Sequence, residues 1–149
     1  MRFAIFVLTS LVLAISGPAR ADDPDVEYYP VSEDMQLPFS DAVRVGNMLY
    51  LSGKIGNVPG TRDLAEGGIA GETRQALENI KASLEKHGSS MDEIVKCTVF
   101  LADIAEWGAM NEVYVTYFPK NPPARSALGA SGLALNSRVE IECFAALRD

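Results

Sequence analysis

Metal-ligating and cationic side chains are scarce in this sequence. It contains one histidine and two cysteines in 149 residues. A zinc site is therefore not expected, because such sites draw three or four ligands mainly from these residue types. Basic residues number 13, against 20 acidic ones, and they form no cluster. Nucleic-acid binding depends on clustered Lys and Arg, so no nucleic-acid partner is expected either.

The N-terminal 21 residues differ in composition from the rest of the chain. Arg2 is followed by a run from 3 to 15 that is apolar except for one Thr and one Ser, and the stretch ends in Ala-Arg-Ala. This run is shorter than the roughly 20 apolar residues of a membrane span. It therefore predicts a secretory signal peptide over 1–21, cleaved after Ala21, rather than an anchor.

Removal of this leader makes the chain more acidic. The leader carries two arginines and no acidic residue, so 11 basic and 20 acidic residues remain, a net charge of about −9. No later segment is long and apolar enough to cross a bilayer. We therefore expect an exported protein, periplasmic or secreted, with no stable membrane association after cleavage.

The two cysteines, Cys97 and Cys143, each lie in an apolar run typical of a strand. A disulfide between them is compatible with export. The apolar surroundings favour two buried, unpaired thiols, but the sequence leaves both alternatives open.

Apolar periodicity predicts the element order β-β-α-β-α-β-β. Residues 22–36 are either a ragged N-terminal segment or one further edge strand, and Gly46-Asn47 predicts a tight hairpin turn before a strand over 47–56. The first helix, predicted over 70–88, has apolar residues at three- and four-residue spacing, with Glu72 on its polar side. A second amphipathic helix is predicted over 106–118.

Interleaved strands and helices in a chain of this length predict one α+β domain, with both helices on one face of a single sheet. The strand over 94–102 has apolar residues on both sides. Two layers cannot cover both faces of such a sheet. We therefore expect the second face to be buried against other copies of the chain in a homo-oligomer.

Four blocks of the sequence, in one order, resemble the RidA/YjgF family. They are GNMLYLSGKIG, ETRQALENIKASLEKHGSSMDEIVKCTVFLADI, MNEVYVTYF and PPARSALGASGLALNSRVEIECFAAL. The resemblance covers about 37–147. It divides the chain into a signal peptide over 1–21, an N-terminal segment over 22–36 and a RidA-like domain over 37–149.

The resemblance implies a fold, an assembly and an activity. The fold is chorismate mutase-like, a mixed sheet with two helices on one face, and three copies form a homotrimer with a central β-barrel. The implied activity is hydrolysis of reactive enamines and imines of the 2-aminoacrylate type to 2-oxo acids and ammonia, in clefts between neighbouring subunits. The partner is thus a small carboxylate-bearing substrate, and no cofactor or metal is required.

Two charged residues carry the implied chemistry. Arg125 occupies the family position that grips the substrate carboxylate, a task suited to the guanidinium fork. Its alternative is an ordinary interfacial salt bridge, with Glu140 or Glu142 as the partner. Glu140 occupies the position of a cleft glutamate that positions or protonates the attacking water, and is the catalytic candidate. Glu142, two residues along the same strand, is the competing candidate.

Three further positions match the implied cleft. Ser52 is a candidate to bind substrate or water, or is a polar strand end. Asn111 is a candidate to orient a ligand, or is an amide on a helix surface. Phe39 is a candidate apolar wall, standing where the family often has tyrosine.

Two other positions also depart from the family pattern. Ala127 replaces a common cysteine, and Lys54 replaces a common glutamine. These departures leave two functions open. The first is an enamine/imine deaminase, and the alternative is a non-catalytic trimeric protein that binds small carboxylates or acts as a chaperone.

Overall fold

The computed structural model describes residues 25–32 and 35–148. The predicted signal peptide lies outside these residues. The strands and helices are β1 (Val26–Ser32), β2 (Met35–Val45), β3 (Met48–Leu51), β4 (Lys54–Ile55), α1 (Gly68–Lys86), β5 (Ile94–Leu101), α2 (Trp107–Tyr114), β6 (Ala124–Gly129) and β7 (Val139–Ala146). Neither helix in the described part of the chain has the length and apolarity needed to cross a membrane.

The strands form one mixed sheet in the order β1-β2-β3-β7-β5-β6, and β4 also pairs with β7. β5 and β6 are parallel, and the other pairs are antiparallel. The α+β prediction and the predicted order of helices and long strands are confirmed. Of the two alternatives for the N-terminal segment, the structure shows the edge strand, β1.

The predicted hairpin turn is confirmed, but the strand predicted after it is interrupted. Val45 pairs with Met48 across the predicted hairpin turn, and Gly46 has a φ of 58°, in the left-handed region that glycine tolerates. The strand predicted over 47–56 is instead divided into β3 and β4 by Ser52 and Gly53. This interruption positions candidate site residues, as described below.

The core lies between the helices and one face of the sheet. Alternate residues of β7 are buried, and those between them are only half-buried. Leu77, Ile80 and Leu84 of α1 are fully buried in this core, as the helical spacing predicts. The opposite face carries Tyr50 and Phe144, whose ring centroids lie 5.0 Å apart, and no described element of the chain covers it.

Glu72 does not lie on a solvent-facing side of α1, as the helical pattern predicted. It is buried, and its Oε2 accepts a hydrogen bond of 2.7 Å from the backbone N–H of Arg138, just before β7. A Cβ added to Gly56 would lie 2.5 Å from the Cα of Glu72. The close approach of this loop to α1 therefore buries a carboxylate that helical periodicity alone assigns to solvent.

Cys97 and Cys143 are joined in a disulfide, so of the two alternatives left open by the sequence the structure shows the less favoured one. The register of β5 and β7 places them directly opposite each other, with Cα atoms 4.2 Å apart. Both are fully buried. In the chain-entropy description, a link between residues 46 positions apart stabilises the fold by about 4 kcal/mol.

A β-bulge places Asp41 against α1. Tyr29 pairs with Ala42 and Pro30 with Ser40, so Asp41 is the extra residue of β2. Its carboxylate accepts hydrogen bonds from the Ser83 hydroxyl and from His87 Nε2, both at 2.8 Å, and pairs with Lys54 of β4. Asp41 therefore ties β2 and β4 to the end of α1.

Burial alone would raise the pKa of Asp41. The hydrogen bonds from Lys54 and His87, the charge of Lys54 and the Ser83 hydroxyl outweigh it and lower the pKa from 3.8 to about 2. A carboxyl whose pKa is lower in the folded state than in the unfolded state stabilises the fold above the unfolded value. That stabilisation is lost as the pH falls from about 4 to about 2.

We predict that Asp41→Asn lowers the free energy of unfolding at pH 7 by about 2 kcal/mol, the value of its pKa shift. The substitution should also flatten the loss of stability between about pH 4 and pH 2. Urea unfolding as a function of pH measures both. Asp63→Asn, at an exposed carboxylate, is the matched control and should change neither. An unchanged acid limb in Asp41→Asn would contradict the assignment.

Candidate functional site

The predicted site residues fall into two groups on opposite faces of the sheet. Arg125 and Asn111 meet on the side of the helices. Phe39 and Ser52 line a cavity on the other side, and Glu140 lies beside it against Gly53. The structure therefore brings together the members of each group, but not Arg125 and Glu140.

The strand register explains this separation. Arg125 of β6 pairs with Cys97 of β5, which pairs with Cys143 of β7. Side chains paired across strands share a face, so Arg125 lies on the same side as the buried disulfide. Glu140 and Glu142 alternate with the buried residues of β7 and lie on the opposite face.

Three side chains of α2 surround the Arg125 guanidinium. Asn111 Oδ1 accepts a hydrogen bond of 2.9 Å from Arg125 Nη1. The guanidinium carbon lies 4.5 Å from the ring centroid of Tyr114 and 5.5 Å from that of Trp107. All three partners are neutral. Burial raises the pKa of Tyr114 to about 12, even though the charge of Arg125 opposes the shift.

Arg125 forms no ion pair within residues 25–32 and 35–148. Arg125 therefore does not pair with Glu140 or Glu142 of its own chain, and the alternative of an interfacial salt bridge would have to join two copies of the chain. A guanidinium has five N–H donors, and Asn111 occupies one of them. The half-buried cation thus has unneutralised charge and free donors, which is the requirement for an anion clamp.

A cavity of about 330 Å³ opens beside this guanidinium. Its walls are largely apolar, with Arg125 and Asn111 as the polar groups. The lining residues are Asn111, Tyr114, Val115, Phe118, Pro122, Pro123 and Arg125.

The second group surrounds the interruption between β3 and β4. Ser52 Oγ donates a hydrogen bond of 2.6 Å to the Ser40 carbonyl oxygen, and Ser52 N donates one of 3.0 Å to the Asp41 carbonyl oxygen. Phe39 is 56% exposed. Both line a cavity of about 550 Å³ that also contacts Glu142. Ser52 directly follows β3 and is held against β2, so both its predicted role as a binding residue and the alternative of a polar strand end stay open.

Glu140 extends over Gly53. A Cβ added to Gly53 would lie 2.1 Å from Glu140 Oε1, so the carboxylate occupies space that only glycine leaves open. Burial raises the pKa of Glu140, and the nearby Glu142 charge raises it further. Such a carboxyl is a stronger base than an ordinary glutamate when it is ionised.

The remaining departures from the family pattern lie outside these contacts. Ala127 packs against the core beside Arg125 on β6 and contributes no polar group. Lys54 pairs with Asp41 on the side of the helices rather than facing Glu140. Lys54 therefore belongs to the connection between the sheet and α1.

Trp107, Tyr114 and Gly53 were not predicted as site residues from the sequence. Both aromatic residues lie in the stretch 106–118, for which the pattern predicts an amphipathic helix. A usable signal was present, because Trp107, Asn111 and Tyr114 are spaced by four and three residues and share one side of a helix. No comparable signal identifies Gly53, since its role depends on a contact with β7.

Comparisons with known proteins identify relatives of this chain. A family model described as Endoribonuclease L-PSP matches residues 32–147. The chain is 43% identical over 108 residues to a 2-iminobutanoate/2-iminopropanoate deaminase of Mus musculus, covering 72% of this chain and 80% of the mouse protein. It is 38% identical over 110 residues to Reactive Intermediate Deaminase A, chloroplastic, of Arabidopsis thaliana, covering 74% of this chain and 59% of that protein.

A solved structure of RidA from an Antarctic Psychrobacter matches with a TM-score of 0.71 and 34% identity, covering 85% of this chain and 100% of the other. A second, of a yeast protein, matches with a TM-score of 0.75 and 36% identity, covering 83% and 100%. Sequence, family model and fold agree, and the chain belongs to the RidA/YjgF family.

Proposed function

We propose that this protein hydrolyses small 2-imino acids and their enamine tautomers to 2-oxo acids and ammonia. The single observation that carries the proposal is Arg125, a half-buried cation held by neutral partners, of whose five N–H donors only one is taken within the described residues. A substrate carboxylate is the anion that such a fork binds with two hydrogen bonds. The deaminase names of the mouse and Arabidopsis relatives support the reaction class.

We further propose that the active site forms between two copies of the chain in a homotrimer. Arg125 and Glu140 of one chain lie on opposite faces of its sheet, so one small substrate needs each residue from a different copy. Exposed apolar residues on the uncovered face support this assembly. They include Tyr28, Tyr50 and Leu128, and burial of exposed apolar residues is a driving force for association between copies.

Glu140 is the proposed base for the water that attacks the imine carbon. With the substrate carboxylate on Arg125, the Glu140 carboxylate takes a proton from water as the oxygen bonds to the protonated imine carbon. Glu140 then returns this proton to nitrogen. The C–N bond breaks with its electron pair passing to nitrogen, so ammonia leaves, and the carbonyl forms as the Glu140 carboxylate takes the hydroxyl proton. Transfer of that proton to the ammonia gives ammonium and restores the Glu140 carboxylate. An enamine first takes a proton on carbon to give the same iminium.

The other residues of the two groups have supporting roles in this mechanism. Ser52, hydrogen-bonded to the Ser40 carbonyl oxygen, retains its hydroxyl lone pairs for water or substrate. Phe39 supplies an exposed apolar wall. Asn111 orients Arg125 through Nη1. None of these steps uses the thiol that Ala127 lacks.

Export is also proposed, on two observations. The leader has the pattern of a cleaved signal peptide, and Cys97 and Cys143 form a disulfide, a bond typical of oxidising compartments.

Expression of the full chain in a Gram-negative host tests export by fractionation and intact-protein mass. We predict a periplasmic product that begins at Asp22 and is lighter than the dithiol form by two hydrogen atoms. A Cys97→Ser/Cys143→Ser variant is the mass control and should lack this difference. Cytoplasmic retention with residues 1–21 still attached would contradict export.

The shared site predicts complementation between two inactive variants. Arg125→Gln and Glu140→Gln should each lower kcat/KM about 100-fold, since each removes a charged group that acts on the substrate. If the two variants are refolded together, roughly a quarter of the interfaces in a random trimer combine the two intact residues. Ammonia release from an imine generated by an amino-acid oxidase measures the recovery.

Lys81→Gln, at an exposed cation on α1, is the control for loss of positive charge and should leave activity unchanged. Arg125→Lys keeps the positive charge but lacks the two-pronged guanidinium, so its kcat/KM should fall about tenfold. Full activity in Arg125→Gln would refute the clamp. Two inactive variants that fail to complement, in a mixture shown by mass to contain mixed trimers, would refute a site shared between subunits.

The contact between Glu140 and Gly53 gives an independent prediction. Gly53→Ala should displace the Glu140 carboxylate while the fold is retained, because the atom that must move is the end of a flexible side chain. Its kcat should fall toward that of Glu140→Gln. Glu142→Gln is the matched control on the same strand and face, and should keep kcat within a few-fold of wild type.

The pH profile completes this test. A base is active only when ionised, so kcat should fall as the pH drops through the raised pKa of Glu140, at a pH above the ordinary value of 4.5. This decrease of kcat at low pH should be absent in Glu140→Gln. If the decrease disappears in Glu142→Gln instead, Glu142 is the base.

A further inference from the structure

We propose that Trp107 and Tyr114 are positioning residues that orient the Arg125 guanidinium for carboxylate binding. The inference rests on the proposed function, because it concerns the same clamp. It assigns a role to two aromatic side chains that helical periodicity explains only as core.

The two kinds of surface on a guanidinium explain this role. Its faces attract aromatic rings, whereas its edges carry the N–H donors. The Arg125 guanidinium carbon lies over both rings, 4.5 Å from the Tyr114 centroid and 5.5 Å from the Trp107 centroid. Asn111 Oδ1 accepts one hydrogen bond from Nη1. These partners hold the cation and leave its other donors for a ligand.

An acidic partner would not serve the same purpose. A carboxylate of the chain would occupy the edge of the fork and compete with the carboxylate of the ligand for the same donors. Aromatic rings attract the cation without neutralising it. Arg125 makes no ion pair in the described residues, so the clamp is both oriented and unneutralised.

The Tyr114 ring is positioned by packing. Tyr114 is 4% exposed, and its ring centroid lies 4.8 Å from that of Phe118. Its buried hydroxyl has no hydrogen-bond partner in the described part of the chain. Tyr114→Phe therefore keeps the contact with Arg125, and it should leave ligand binding unchanged. This variant separates the role of the ring from that of the hydroxyl.

Trp107 is the residue that permits the sharpest test. It is 41% exposed, so its replacement removes little from the core. It is also the only tryptophan in the sequence. Its indole emission therefore reports directly on the environment of Arg125, without interference from another tryptophan.

The experiment measures binding of pyruvate and 2-oxobutanoate, the carboxylate products of the proposed reaction. In the wild-type protein each ligand should change the Trp107 emission and give a saturable titration, with calorimetry as a second readout. Pyruvamide, which lacks the carboxylate, should not bind. Trp107→Leu should weaken binding of both ligands about three- to tenfold by calorimetry, and Trp107→Phe should recover most of the loss.

Steady-state kinetics should show the same loss of carboxylate binding in Trp107→Leu. Trp107→Leu should raise KM for the imine by a similar factor with little change in kcat, because the carboxylate is bound before and during reaction. In an Arg125→Gln background, Trp107→Leu should have no further effect on binding or KM. Ile104→Ala, at an exposed apolar residue before α2, is the matched control and should bind like wild type.

Three outcomes would overturn the inference. They are wild-type affinity in Trp107→Leu, equal loss in Trp107→Leu and Trp107→Phe, and a loss that persists in the Arg125→Gln background. Absence of ligand binding by wild type would overturn both the inference and the clamp. If ligand binding depends on Trp107 but no ammonia is released, hydrolysis is refuted and the positioning role is retained. If ammonia is released but Trp107→Leu leaves KM unchanged, hydrolysis is retained and the positioning role is refuted.

Discussion

The alternation of side chains along β7 is the constraint on which the rest of the structure depends. Val139, Ile141 and Cys143 are fully buried beneath the helices, so the residues between them must face the other way. A shift of one residue would bury Glu140 and Glu142 in an apolar core, at a large desolvation cost. The packing that forms the core therefore also determines where the proposed base lies.

The same register extends to Arg125 and separates it from Glu140. Arg125 lies beside Cys97, which the disulfide joins to β7, and therefore faces α2. There it contacts an amide and two aromatic rings rather than a carboxylate. In the proposed mechanism, one substrate that contacts both residues therefore needs a second copy of the chain, so that activity depends on assembly.

Contacts of Asp41 and Gly53 shape the surroundings of Glu140. Asp41, displaced by a bulge, ties β2 and β4 to α1 next to the Ser52–Gly53 interruption between β3 and β4. Gly53 then leaves the space that the Glu140 carboxylate occupies. These contacts join residues far apart in the chain. No local pattern could have shown that Lys54 would pair with Asp41 or that Gly53 would lie under Glu140.

Local patterns in the chain were sufficient to predict the helices, the hairpin turn and most strands, because periodicity, glycine and proline act over a few residues. Family blocks placed Arg125 and Glu140 among the candidate site residues. Only the folded chain decides that Glu72 is buried, that Cys97 meets Cys143, and that two aromatic rings lie against the Arg125 guanidinium. These features depend on strand register and on the approach of distant segments, which the order of residues does not display.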